Sequence, residues 1–144
     1  MKNLLSVVFI FAVVTRVLAA DPHDNKALRG DWIPVKAQLG GQPMSDEVLK
    51  TISMTLGEGT YHVDVAGNPD KGTYELDSST TPTSMTIKGT EGPNKGRVIP
   101  AIYEIKGQTL RICYDLAREG AKRPKAFKSD PGTRLYLVTY ERKK

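Results

Sequence analysis

The chain is 144 residues long, 39% hydrophobic and 26% charged, with a single cysteine and a formal net charge of +5. One domain suits that length, and the composition excludes a multidomain enzyme, a disulfide scaffold and a disordered chain. The basic excess is too mild to point to a nucleic-acid binder, whose positive surface is larger and clustered.

Residues 1–20 have the three-part layout of a secretory signal peptide: Lys2 near the start, an apolar run over 4–14, and Val17-Leu18-Ala19-Ala20 before the expected cleavage. The run is about eleven residues, short of the roughly twenty that a spanning helix requires, so cleavage is expected and not anchoring. Loss of the leader removes Lys2 and Arg16 and leaves 19 basic residues against 16 acidic, a net charge of +3. The expected organisation is a signal peptide over 1–20, an N-terminal tail over 21–27 and one domain over 28–144. After cleavage the protein is expected to be secreted or periplasmic, monomeric and without a membrane span.

From Asp31 onward, short runs of alternating apolar and polar residues are separated by turn residues. Residues 32–38 form the first such run. Ser45-Asp46-Glu47-Val48-Leu49-Lys50 breaks the pattern: Ser45 can cap a short helix near 45–51 whose first turn carries two acids. Strands follow at 52–56 and at 60–65, where Tyr61, Val63 and Val65 share one face and His62 and Asp64 the other. Further runs lie at 72–76, 84–88, 98–105, 109–115 and 135–141, and a ninth candidate lies at 125–128. The segments between them, such as Gly67-Asn68-Pro69-Asp70, Lys106-Gly107 and Ser129-Asp130-Pro131-Gly132, have turn chemistry. Strands joined this tightly are antiparallel, and the prediction is an all-β domain, an up-and-down barrel of eight or nine strands, because closure removes exposed edges.

Leu28-Arg29-Gly30-Asp31-Trp32 resembles the Gly-x-Trp start of lipocalin-type barrels. A longer series is similar to one particular group: 91–96, Ile102-Tyr103-Glu104, Leu110-Arg111-Ile112-Cys113, Arg123-Pro124 with Phe127, and the closing run 135–142. This is the uncharacterised, lipocalin-like secreted domain family abundant in planctomycete bacteria. The resemblance covers 28–142 and departs at Ala101, where that family tends to have glycine. It implies a lipocalin-like barrel and brings no assigned activity. It also implies that Trp32 covers one end of the barrel beneath a basic side chain from near the last strand, for which Arg142 is placed best and Arg134 second, a cation–π contact of roughly 0.5–2 kcal/mol.

The inventory for catalysis is poor. Of the two histidines, His23 lies in the tail and His62 on the polar face of a strand, so no set of nucleophile, base and orienting group assembles and no enzyme is expected. Metal ligands are too few and too scattered for a site, no phosphate-binding glycine motif opens a helix, and no cofactor is expected. Cys113 alternates with Arg111 and Asp115 opposite Leu110, Ile112 and Tyr114, so its thiol is either on the outside of the barrel or part of a cavity lining. Tyr61, Tyr74, Tyr103 and Tyr114, with Tyr136, Tyr140, Phe127, Met54 and Met85, either fill the interior or line a pocket for one small hydrophobic or amphipathic ligand. Arg118, Lys122, Arg123, Lys125 and Lys128 gather in the stretch 118–128, either a solvated loop or a surface for an extracellular partner. The leading expectation is a secreted, non-enzymatic ligand-binding barrel, and the alternative is an interaction module that uses this basic loop.

Overall fold

A computed structural model describes residues 22–144; the expected leader over 1–20 lies outside them. Nine strands occur: β1 (Gly30–Leu39), β2 (Gln42–Pro43), β3 (Ile52–Leu56), β4 (Thr60–Val65), β5 (Asn68–Asp77), β6 (Thr83–Glu91), β7 (Val98–Lys106), β8 (Thr109–Asp115) and β9 (Leu135–Arg142). Strands β1 and β3 to β9 pair antiparallel in sequence order, and β9 pairs back onto β1 from Trp32↔Arg142 to Leu39↔Tyr136. The result is a closed eight-stranded up-and-down barrel, with β2 added as a two-residue ribbon on β1. The ninth strand is therefore β2, and 125–128 is loop, because that stretch crosses the outside of the wall and has no ladder partner.

The hairpin joining β4 to β5 is tighter than the turn residues imply. Ala66 and Gly67 both have positive φ, 51° and 84°, the two-residue geometry that matches strand twist. Consequently Asn68, Pro69 and Asp70 belong to β5 and not to a turn. Pro69 is tolerated because β6 joins β5 only from Lys71, and Pro100 likewise precedes the first β8 partner of β7 at Ala101.

Two short helices flank β1. The expected one is α2 (Asp46–Leu49), capped by the Ser45 hydroxyl, which accepts from the Val48 N–H at 3.4 Å. The other, α1 (Pro22–Leu28), occupies the segment read as a tail. It ends at Leu28, whose buried side chain joins the core and whose carbonyl accepts the Trp32 indole N–H at 2.8 Å.

The interior alternates as a barrel requires. Met54 and Leu56 of β3, Tyr61 of β4, Tyr74 of β5, Met85 and Ile87 of β6, Ile99, Ala101 and Tyr103 of β7, Leu110, Ile112 and Tyr114 of β8, and Val138 and Tyr140 of β9 form one core cluster. No helix among the described residues is long and apolar enough to cross a membrane.

Candidate functional site

The two ends of the barrel differ. At one end Trp32 is wholly buried against Leu28, and the Arg142 guanidinium lies over its ring, 4.3 Å from the centroid. The same guanidinium donates to the carbonyls of Ala27 and Arg29, each at 2.7 Å, and to Gln108 Oε1 at 2.8 Å. Gly30 has φ +125°, and a Cβ there would sit 2.7 Å from Arg142 Nη1, so the glycine two residues before Trp32 leaves room for the cap. Tyr103 of the expected ligand set is buried in the core and does not line the cavity at the other end of the barrel.

Toward the other end the interior is hollow. A cavity of about 500 Å³ extends to the mouth formed by the β4–β5, β6–β7 and β8–β9 connections, where Val65, Asn68, Pro93, Asn94 and Leu116 line it. Its wall is mostly aliphatic, with Ile52, Met54, Met85, Ile87, Ile99 and Ile112, and it includes Tyr61, Tyr74 and Tyr114 of the expected ligand set. Two further tyrosines, Tyr136 and Tyr140, complete the aromatic part. The Tyr114 and Tyr140 hydroxyls share a hydrogen bond of 3.0 Å, and the Tyr114 and Tyr136 rings stack with centroids 5.6 Å apart. Burial holds these phenols neutral, raising Tyr114 and Tyr140 well above the ordinary tyrosine value and Tyr136 to about 12.

One carboxylate enters this lining. Asp70 is 9% exposed and faces inward on β5, in phase with Gly72 and Tyr74. It accepts from the Asn94 side-chain amide at 2.8 Å, from the Asn94 backbone N–H at 3.2 Å and from the Tyr61 hydroxyl at 3.3 Å. The β6–β7 connection can fold onto Asp70 because Gly92 has φ +86° and no side chain: a Cβ would stand 2.4 Å from the Pro69 carbonyl. Arg97 braces the other side of Asn94, donating to its Oδ1 at 2.8 Å and to the Leu116 carbonyl at 2.8 Å. Burial is the main cause of the raised Tyr61 phenol, with the neighbouring Asp70 charge adding to it. Residues 67–70 read as a turn in the sequence, so nothing there marked Asp70 as an inward group; the signal lies in the Ala66-Gly67 hairpin, which shifts the start of β5.

Cys113 lies outside the barrel wall. It is buried, but beneath the β8–β9 connection over 116–134, where its thiol donates to the Lys128 carbonyl at 3.3 Å, and burial raises its pKa. This resolves the two placements open for it: it does not line the cavity. The basic stretch 118–128 is divided in a similar way. Arg123 is turned onto the barrel wall, and its guanidinium donates to the Met85 carbonyl at 3.0 Å, the Ala101 carbonyl at 2.8 Å and Thr86 Oγ1 at 2.8 Å. Arg118, Lys122, Lys125 and Lys128 are exposed, and Lys128 pairs with Asp130 at 3.3 Å. Arg123 is thus a clamp on the wall and not part of a free cationic surface. His62 is exposed on the outer face of β4, and no group of three His, Cys, Asp or Glu side chains among the described residues could hold a metal ion.

No family model matches the chain, and comparison with curated proteins and with solved structures returns no match.

Proposed function

We propose that the protein is an exported, non-catalytic barrel that holds one small hydrophobic or amphipathic molecule inside its cavity. The observation that carries this reading is the 500 Å³ space itself, which falls within the roughly 300–1,000 Å³ of small-molecule sites and is lined mainly by aliphatic and aromatic side chains. Burying apolar ligand surface against such a wall is favourable by about 25 cal/mol per Å². The non-catalytic part rests on placement: the His62 ring and the Cys113 thiol both stand outside the wall, away from the cavity.

Titration with the neutral fluorophore N-phenyl-1-naphthylamine tests the reading. Saturable binding with one-to-one stoichiometry is expected, weakened about tenfold or more in Val63→Trp, which puts an indole into the mouth half of the cavity. Failure of the wild-type protein to enhance the dye, or equal binding by Val63→Trp, removes the reading. Native mass spectrometry of protein from its own host reads the leader at the same time, since export predicts a mass lacking residues 1–20.

A further inference from the structure

We propose that the polar end of the ligand is a protonated amine and that its ammonium group sits on Asp70. This rests on the cavity reading above and names the chemical class that the cavity selects.

Asp70 is the one formally charged side chain among the described residues that line the cavity. A carboxylate offers about four acceptor positions. Three are occupied here, by the Tyr61 hydroxyl and by the backbone and side-chain N–H groups of Asn94, and all three donors are neutral. None of the ion pairs among the described residues includes Asp70. Arg97 makes no direct bond to Asp70: its guanidinium donates to Asn94 Oδ1 and to the Leu116 and Ala117 carbonyls, so the Asn94 amide stands between the two charges. The donors therefore fix the carboxylate in place, and no cation among the described residues bonds it directly.

A buried carboxylate with hydrogen bonds but no cation has lost hydration that neutral donors replace only in part. A ligand ammonium at the remaining acceptor position restores the missing attraction, in surroundings where two charges interact more strongly than in water. An alcohol head supplies only a neutral hydrogen bond, and a carboxylate head meets repulsion. Tyr61, already bonded to Asp70, adds an aromatic ring in the same lining on which a cation is favoured. Asp70 and Asn94 stand toward the mouth, so the alkyl part of the ligand extends inward along Ile87, Ile99 and Ile112 toward the Tyr114–Tyr140 pair.

The test is a calorimetric titration of the purified protein at neutral pH with octylamine, 1-octanol and octanoate, which share a chain length and differ in the head. Octylamine is expected to bind about tenfold or more tighter than 1-octanol, and octanoate more weakly than either. In Asp70→Asn the advantage of the amine over the alcohol is expected to vanish. Equal affinities of amine and alcohol for the wild-type protein overturn the inference while leaving the cavity reading standing, and so does tightest binding by octanoate, which would assign the head to an anion. Binding of none of the three overturns both. The wild-type series decides by itself should Asp70→Asn not fold.

Discussion

Arg142 shows how much a single side chain can join. Its guanidinium closes the barrel at β9, stacks on the only tryptophan, and ties the end of α1 and the β7–β8 turn together through Ala27, Arg29 and Gln108. The planar, permanently charged fork serves all of these at once, which a lysine ammonium cannot do. Arg142→Ala is expected to cost about 3 kcal/mol, combining a cation–π contact of roughly 0.5–2 kcal/mol with charge-assisted hydrogen bonds of roughly 1.5–3 kcal/mol that are partly solvated and not additive. Arg142→Lys should recover less than half of the loss. Urea unfolding followed by Trp32 fluorescence measures both, and a midpoint unchanged in Arg142→Ala would contradict the role. The pairing was expected from the resemblance to lipocalin-type barrels and not from the residue pattern alone; closure of β9 onto β1, with Trp32 opposite Arg142, is what brings the two together.

At the scale of elements, the connection over 116–134 is long and has no regular structure, yet it is fixed to the wall at several points. Arg123 bonds two barrel carbonyls and Thr86, the Arg111 guanidinium lies 4.1 Å from the Phe127 ring centroid, and the Ser129 hydroxyl donates to the Leu135 carbonyl at 2.8 Å. Cys113 lies beneath this strap, so its reactivity reports whether the strap is seated. In the folded protein the thiol is expected to resist an aromatic disulfide reagent and to react fully in denaturant, since it is buried and its pKa is raised. Arg123→Ala should expose Cys113 to the reagent and lower stability by about 2 kcal/mol, whereas Lys125→Ala, at an exposed position, should change neither. A thiol that reacts at once in the native wild-type protein would show the strap to be open. The strands themselves were legible because an inward face alternates with an outward one; β4 and β8 have the bounds that alternation predicts. Alternation does not reveal what covers the outer face, so Cys113 kept two readings and Arg123 read as surface charge. Asp70 was missed for a related reason, since polar residues beside glycine and proline look like a turn until the hairpin register is fixed.

For the whole molecule, the tyrosines set a limit on the alkaline side. Tyr61, Tyr74, Tyr114, Tyr136 and Tyr140 all have raised pKa values, chiefly through burial, with Tyr136 at about 12. Below about pH 10 these phenols are protonated in both the folded and unfolded chain and contribute no pH dependence. Above that value the unfolded chain releases protons that the folded barrel retains, so unfolding gains free energy with rising pH. Each phenol held neutral costs the fold about 1.4 kcal/mol per pH unit until its own folded value is reached. Several acting together exhaust a stability of roughly 5–15 kcal/mol within one or two units. The barrel is therefore expected to hold to about pH 10 and to unfold cooperatively between about pH 10 and 12, with the tyrosinate absorbance rising together with the loss of near-ultraviolet circular dichroism. Tyr140→Phe removes one of these groups and should make the decline shallower. A smooth absorbance titration centred near pH 10, with the circular dichroism intact, would mean that the phenols are hydrated and that the cavity wall is not the closed, apolar surface on which the proposed ligand binding depends.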